Sequence, residues 1–378
     1  MNHSIKVGRY LGIDVYLHYS WFFIFALLAW ALATGFFPQQ FPGYSEAEYG
    51  VLGLVSSLLL FVSVLLHELS HSVVARRNGM KVDRITLFFF GGLAGLHEQK
   101  FTPKTEFRMS IAGPMMSLVI SMVFLIVYNT VEFFYVSAIA AYLYRINMIL
   151  AIFNLVPGFP LDGGRVLRSI VWYWTKDFKK ATRIATMGGK IFAYVLIFLG
   201  LGSIFSGAYG GLWFILIGFF LLLLSTLSYQ QVEIKDALAG RKVKQFLIKR
   251  FAVFDADMSL KQALAKYFLS DAQEAYPVVK DGKFAGMIMF KDVQSINKRD
   301  WMRLRIHEVM MPARKAGRVR LNTGAYTALA MMLKKGLPLM PVFEKKRMVG
   351  LVTRDSILRY VKMKEKKEKL EKMGFKVE

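Results

Sequence analysis

The chain has 378 residues, of which 55% are hydrophobic; it has no cysteine, and its formal net charge is +24. The lack of cysteine excludes a disulfide framework and a cysteine-ligated metal site. The basic excess does not indicate nucleic acid as a partner, because many lysines and arginines fall between apolar runs, in the alternating pattern that membrane topology imposes.

Several apolar runs are long enough to cross a bilayer, since a helix rises about 1.5 Å per residue and the hydrocarbon core is about 30 Å thick. The start of the chain is mixed and strand-like and has no small-residue cleavage site, so we do not expect a cleaved signal peptide. The predicted spans are Leu17–Phe37, Val51–Ala75, Phe107–Tyr128, Phe133–Val156, Thr186–Phe205 and Gly211–Tyr229.

Charges between the spans predict the orientation in the membrane. The connections after the second and fourth spans are rich in lysine and arginine, whereas residues 38–50, 129–132 and 206–210 contain neither. Because cytosolic loops are enriched in these residues, we expect a multi-pass protein of the cell membrane with both termini in the cytosol.

The character of the sequence changes near Val232, after which the spans end and a repeat begins. The segment QEAYPVVKDGKFAGMIMFKDV reads as strand, turn and strand, and LPLMPVFEKKRMVGLVTRDSIL repeats that plan. An amphipathic helix is predicted before each segment. We therefore predict a membrane domain (1–230), a linker (231–243), a two-fold repeat (244–360) and a charged tail (361–378).

The second span contains LLHELSH, in which His67 and His71 are four residues apart. On a helix this spacing puts both imidazoles on one face, where they can bind one metal ion. Glu68 projects beside them and can take a proton from water, whose pKa zinc lowers toward about 7. The alternative is a chance match, or polar residues that pack against neighbouring helices, although such groups are costly at membrane depth.

A catalytic zinc needs a third protein ligand, and the best candidate is Asp162 in NLVPGFPLDGG. This residue follows Pro157 and Pro160, which break the helix at the end of the fourth span. Irregular backbone at membrane depth is tolerated only where protein or a water-filled cavity covers it. Because the second and fourth spans both end on the cytosolic side, we expect His71 and Asp162 to lie at the same level of the membrane. An ordinary cytosolic turn is the alternative.

The pair HELSH and NLVPGFPLDGG resembles the site-2 protease family of intramembrane zinc metalloproteases. The segments GIDVYLHYSW, DRITLFFFGG and IAGPMMSL resemble further parts of that family, and the repeat resembles a pair of cystathionine-β-synthase (CBS) domains. The resemblance implies a polytopic α-helical membrane protein of about six transmembrane helices with short membrane-associated β-strands, followed by a soluble α/β tandem CBS domain.

The resemblance also implies roles for particular residues. His67, His71 and Asp162 would bind one Zn2+, and Glu68 would be the general base. Asn154 would hold the substrate backbone or stabilise a developing oxyanion, unless it only ends the helix. The strand DRITLFFFGG would pair with an unwound substrate, or form a structural hairpin. The substrate would be the transmembrane segment of another membrane protein in the lipid bilayer, with a fragment released to the cytosol.

The resemblance to CBS pairs raises the question of an adenine nucleotide. Asp292 and Thr353 occupy positions of the ribose-binding pattern, but Met289 replaces the hydroxyl in the first copy and Ser356 replaces the aspartate in the second. Neither site is complete, so a structural or dimerising role, with a homodimer as the assembly, is equally open.

Some features leave further alternatives open. The glycine pairs Gly188–Gly189 and Gly210–Gly211 are candidate hinges of a substrate gate, with close helix packing as the simpler explanation. Asn147 interrupts the fourth span, and we expect it to bond to a neighbouring helix. The alternative function is a CBS-gated membrane transporter or channel, which would have no need of Glu68 inside a histidine pair.

Overall fold

The computed structural model describes residues 4–88, 91–96, 102–208, 210–265, 274–294, 296–345 and 347–375. The chain forms two compact units, Met1–Gln230 and Gln231–Glu378.

Helices make up most of the first unit, since a helix satisfies its own backbone polar groups in lipid. They are α1 (Tyr19–Ala31), α2 (Phe37–Gln40), α3 (Glu46–Arg77), α4 (Pro103–Thr130), α5 (Phe134–Asn154), α6 (Asp162–Thr175), α7 (Phe178–Phe205) and α8 (Gly211–Ala237). A π-helical turn, Leu32–Phe36, joins α1 to α2. Among the described residues, six segments are long and apolar enough to cross a membrane, namely Tyr19–Gln40, α3, α4, α5, α7 and α8. The prediction of six spans is confirmed.

Helices α3, α4 and α7 begin earlier than the apolar runs indicate, because polar caps extend them. Ser45 forms a capping box with Glu48, so α3 starts at Glu46. The Asp177 carboxylate accepts a hydrogen bond from the Lys180 backbone N–H at 2.9 Å, so α7 starts at Phe178.

The chain between the fourth and fifth spans contains a helix that the hydropathy pattern did not indicate. The fourth span, α5, ends at Asn154, and Asp162 is the first residue of the separate helix α6. The prediction that Asp162 lies at the end of the fourth span is therefore wrong in that detail. The reason is that the proline-containing segment stops one helix and a new amphipathic helix begins at Asp162.

The first unit also contains a four-stranded sheet in the order β1 (Ser4–Tyr10), β2 (Ile13–His18), β3 (Val82–Phe88) and β4 (Gly91–Leu96). Strands β2 and β3 are parallel, and the outer pairs are antiparallel. Ile13 and Ile85 of the sheet pack with Leu69 and Ala75 of α3. The sheet is therefore attached to the half of α3 that contains HELSH. In the predicted strand DRITLFFFGG, residues 89 and 90 lie outside the described part of the chain.

The second unit contains two copies of one α/β plan. Its strands are β5 (Phe254–Asp255), β6 (Ala275–Lys280), β7 (Lys283–Met289), β8 (Met311–Pro312), β9 (Val319–Arg320), β10 (Leu339–Glu344) and β11 (Arg347–Thr353). Its helices are α9 (Leu260–Ala263), α10 (Phe290–Gln294), α11 (Ile306–Val309), α12 (Ala313–Ala316), α13 (Ala325–Lys335) and α14 (Arg354–Lys372). The first predicted amphipathic helix, MSLKQALAKYFL, is helical at Leu260–Ala263, and its last four residues, 266–269, lie outside the described part of the chain.

The two copies match in detail and interlock. Each has a short parallel pair followed by an antiparallel hairpin with a bulge at the equivalent position. The backbone of Ile248, near the start of the first copy, pairs with Leu351 of the second, and Met311, near the start of the second copy, pairs with Met287 of the first. The predicted tandem α/β pair is confirmed.

Candidate metal centre

Three side chains from two distant parts of the first unit converge on one point. The Nε2 atoms of His67 and His71 on α3 lie 3.2 Å apart. The Oδ2 atom of Asp162, at the start of α6, lies 3.3 Å from Nε2 of His67 and 3.1 Å from Nε2 of His71. Within the described part of the chain, this is the only group of three such donors close enough to share a metal ion.

The donor set and its spacing fit zinc. A tetrahedral zinc with bonds of about 2.0–2.2 Å separates its ligand atoms by about 3.3 Å. The three separations of 3.1, 3.2 and 3.3 Å agree with that value. Two imidazoles and one carboxylate, with a fourth position left for water or substrate, are typical of a catalytic zinc site.

Both histidines are held by hydrogen bonds at their other ring nitrogen. Nδ1 of His71 donates to the backbone carbonyl of Met109 at 2.7 Å, and Nδ1 of His67 lies 2.9 Å from Oγ of Ser117. Such partners orient a ligand imidazole and leave Nε2 to face the metal. Neither partner residue is predictable from the sequence alone. Met109 acts through its backbone, which leaves no side-chain signal, and Ser117 is one of several serines in an apolar helix.

Gly113 of α4 lies against the two imidazoles. A Cβ atom at this position would lie 2.6 Å from Nε2 of His67 and 2.6 Å from Cε1 of His71. Any side chain would therefore occupy the space between the metal-facing nitrogens and α4.

Glu68, the predicted general base, is half-buried beside strand β4. A Cβ atom at Gly92 would lie 2.7 Å from Cδ and 3.1 Å from Oε1 of Glu68. The backbone of β4 therefore runs directly past the carboxylate. A peptide paired with this strand would lie near the group that is expected to move a proton.

The segment before Asp162 is held by glycine contacts. Gly164 packs on the backbone of Gly158, and Gly158 packs on the Gly188–Gly189 pair of α7. The hydroxyl of Ser225 on α8 donates a hydrogen bond to the carbonyl of Phe159. These contacts support close packing, rather than a hinge, as the reason for the glycine pair. They connect the third ligand to the fifth and sixth spans.

Asn154 and Asn147 were also singled out in the first unit, and neither is one of the three donors. Asn154 is the last residue of α5 and is half-buried, and its role in substrate binding stays a prediction. Asn147 is fully buried; it donates to the carbonyl of Leu143 at 2.8 Å and lies 3.4 Å from the hydroxyl of Ser63 on α3. The expected bond to a neighbouring helix is therefore present, though long.

The two candidate nucleotide-binding residues lie in the second unit. Thr353 ends β11, and its hydroxyl accepts a hydrogen bond from the Ser356 backbone N–H at 3.1 Å, so it caps α14. Asp292 lies in α10 of the first copy. The hydroxyl of Thr353 thus has a structural use, and nucleotide binding stays a prediction.

Comparisons with known proteins agree with the division of the chain into a membrane unit and a CBS pair. The model of peptidase family M50 matches residues 55–134 and 129–198, and the CBS domain model matches residues 243–296 and 308–363. A putative zinc metalloprotease of Synechocystis sp. is 33% identical over 95% of this chain and 96% of its own length. The putative zinc metalloprotease Rip3 of Mycobacterium tuberculosis is 31% identical over 96% of this chain and 93% of its own length.

A solved structure is also similar. A site-2 protease from Methanocaldococcus jannaschii is 30% identical, covering 60% of this chain and 95% of that chain with a TM-score of 0.42. The two family models, the two sequence relatives and the six apolar helices define a multi-pass membrane metalloprotease with a CBS pair. The chain belongs to the site-2 protease family, peptidase family M50, and is a zinc metalloprotease.

Proposed function

We propose that the chain is an intramembrane zinc endopeptidase that hydrolyses a peptide bond within or near the transmembrane segment of another membrane protein. The product fragment would be released to the cytosol. The observation that carries the proposal is the convergence of His67, His71 and Asp162, from two separate helices of a membrane unit, at distances that suit one zinc ion. A transporter or channel would have no need of such a three-donor group beside the carboxylate of Glu68.

The residues of the chain would divide the work as follows. His67, His71 and Asp162 would hold the ion, and Glu68 would take a proton from the attacking water and return it to the leaving amine. When bound, zinc supplies Lewis-acid chemistry, polarising the scissile carbonyl and activating water. Strand β4 would pair with the extended substrate, and Asn154 would donate to its backbone.

The proposal is tested by measuring zinc and cleavage in the same preparations. Wild type, Glu68→Gln, Asp162→Ala and Glu132→Gln, a control in an exposed loop, are purified in detergent and reconstituted with a set of single-span peptides. We expect about one zinc per wild-type chain and cleavage products whose ends map to the span by mass spectrometry. Glu68→Gln should keep zinc and lose activity by about 10²–10⁴-fold, and Asp162→Ala should lose zinc. A wild type that binds no zinc would refute the proposal.

The orientation follows from the charge pattern, and we propose that both termini lie in the cytosol. Because the chain has no cysteine, a single introduced thiol is the only one present. In intact cells, a membrane-impermeant maleimide should label Thr130→Cys and spare Gly374→Cys. The opposite labelling would invert the proposed topology.

For the second unit we propose regulation of the protease or dimerisation, with an adenine nucleotide as the candidate ligand. We also propose that the chain divides into a membrane domain (1–230), a linker (231–243), a CBS pair (244–360) and a tail (361–378). Equilibrium dialysis of the full chain with AMP, and its mass in detergent by light scattering, test ligand and dimer separately. No binding would remove the nucleotide, and a monomeric mass would remove the dimer.

A further inference from the structure

A buried ion pair links the helix of the third ligand to α4. Glu106, in the first turn of α4, is completely buried, and Arg168 on α6 is 9% exposed. Nε of Arg168 donates to Oε1 of Glu106 at 2.9 Å, and Nη2 donates to the same oxygen. A buried pair of this kind is weak evidence for stability, because desolvation offsets much of the attraction. The pair does fix the orientation of the Arg168 side chain relative to α4, since the guanidinium is planar and rigid.

Two aromatic rings hold the guanidinium in place. Its central carbon lies 4.7 Å from the ring centre of Phe159 and 4.6 Å from that of Phe178. Both distances are well within the range of a cation–π contact, about 6 Å. Phe159 precedes Asp162 by three residues, and Phe178 is the first residue of α7. Arg168 therefore contacts the chain on both sides of α6, as well as α4.

The same face of α4 also supports the histidines. Glu106, Met109, Gly113 and Ser117 fall within about 80° of one another on a helix that turns about 100° per residue. From this face Met109 accepts from His71, Ser117 contacts His67 and Gly113 leaves room for both rings. Glu106 contacts Arg168 and, through it, the helix of Asp162. One face of α4 thus holds both histidines directly and, through Arg168, contacts the helix of the third donor, Asp162.

We propose that Arg168 is a positioning residue that, through Glu106 and the rings of Phe159 and Phe178, sets Asp162 against the histidine pair. The inference rests on the proposed function, because it assumes that Asp162 is the third ligand. It assigns to Arg168 the task of completing a three-donor site from two separate helices. The charge alone is insufficient for this task, since lysine lacks the planar fork and would not fill the space between the rings.

The test compares Arg168→Lys, Arg168→Met and Glu106→Gln with wild type and with Arg183→Met, a control at an exposed position of α7. Zinc affinity is measured by chelator competition, and the Co2+-loaded proteins are compared by visible absorption, which reports the number and geometry of ligands. We expect the zinc Kd to rise by about 10–100-fold in all three variants, with an altered Co2+ spectrum, and to remain unchanged in the control.

A double-mutant cycle separates positioning from general structural support. With Asp162 replaced by alanine, the residual affinity of the two histidines is measured at raised Co2+ concentration, and Arg168→Lys should cause no further loss of it, because the donor that it positions is gone. An equal loss in both backgrounds would assign Arg168 to folding and overturn the inference. Gel filtration in detergent verifies folding, and Arg168→Lys decides the matter if the methionine variant does not fold.

The two proposals fail in different ways. Absence of zinc from the wild type would overturn the proposed function. Zinc in the wild type that depends on Asp162, together with unchanged affinity and Co2+ spectrum in the Arg168 variants, would overturn only the positioning inference.

Discussion

Nδ1 of His71 donates a hydrogen bond to the backbone carbonyl oxygen of Met109 at 2.7 Å. A carbonyl oxygen can only accept, so the proton must lie on Nδ1. In the neutral ring this leaves the lone pair of Nε2 on the side of Asp162 and His67. The histidine is therefore held in the tautomer that binds a metal. Because the acceptor is a backbone carbonyl, substitution of the Met109 side chain would not remove this hydrogen bond.

Gly113→Ala should abolish zinc binding. The new Cβ would lie 2.6 Å from Nε2 of His67 and 2.6 Å from Cε1 of His71, so the rings would have to leave their positions. We expect zinc to fall from about one per chain to near zero, measured by elemental analysis of detergent-purified protein. Gly202→Ala is the matched control, because a Cβ at Gly202 has nothing within 4 Å. Full zinc in Gly113→Ala would mean that the site is roomier than the structure indicates.

Gly92→Ala should separate catalysis from metal binding. A Cβ here would lie 2.7 Å from Cδ of Glu68, and displacing a catalytic group by about 1 Å can cost about 100-fold in rate. We expect kcat to fall by about that factor while zinc content stays the same. Gly50→Ala, on α3 with nothing within 4 Å, should behave as wild type. Unchanged kcat in Gly92→Ala would argue against close packing of β4 on the base.

Ser117→Ala should weaken zinc binding without removing a ligand. The hydroxyl lies 2.9 Å from Nδ1 of His67, and loss of such a partner typically costs about 10–100-fold in metal affinity. Ser110→Ala is the control, since Ser110 is also fully buried on α4 and its hydroxyl has no hydrogen-bond partner among the described residues. Chelator competition measures both, and equal affinities in the two variants would remove Ser117 from this role.

Thr353→Val should loosen the start of α14 whether or not a nucleotide is present. Its hydroxyl accepts from the Ser356 backbone N–H at 3.1 Å, and loss of such a cap costs about 1 kcal/mol. Hydrogen–deuterium exchange of the full chain should therefore show faster exchange at the first amides of α14. Thr353→Ser keeps the hydroxyl and should exchange as wild type. If the exchange rates of Thr353→Val and wild type differ only when AMP is present, the hydroxyl binds the ligand and does not cap the helix.

The local patterns of the sequence were enough to predict the elements that depend on nearby residues. Six apolar runs predicted six spans. The segment QEAYPVVKDGKFAGMIMFKDV predicted a strand, a turn and a strand, and the structure contains this hairpin, with Asp281 and Gly282 at positive φ in its turn. His67 and His71 were assigned to one face of a helix because four-residue spacing alone places them there. The early starts of α3 and α7 were missed, since polar caps extend a helix beyond its apolar run.

Tertiary structure decided which distant groups meet. The meeting of Asp162 with the histidines depends on the path of residues 155–161 and on glycine contacts with α7, which no periodicity records. The supports of the donors were also outside the reach of sequence reasoning: a backbone carbonyl at Met109, a serine at 117 and a buried pair between Glu106 and Arg168. Hydrophobic periodicity reports which face of an element is buried, whereas a site assembled from α3, α4 and α6 depends on how those faces pack against one another.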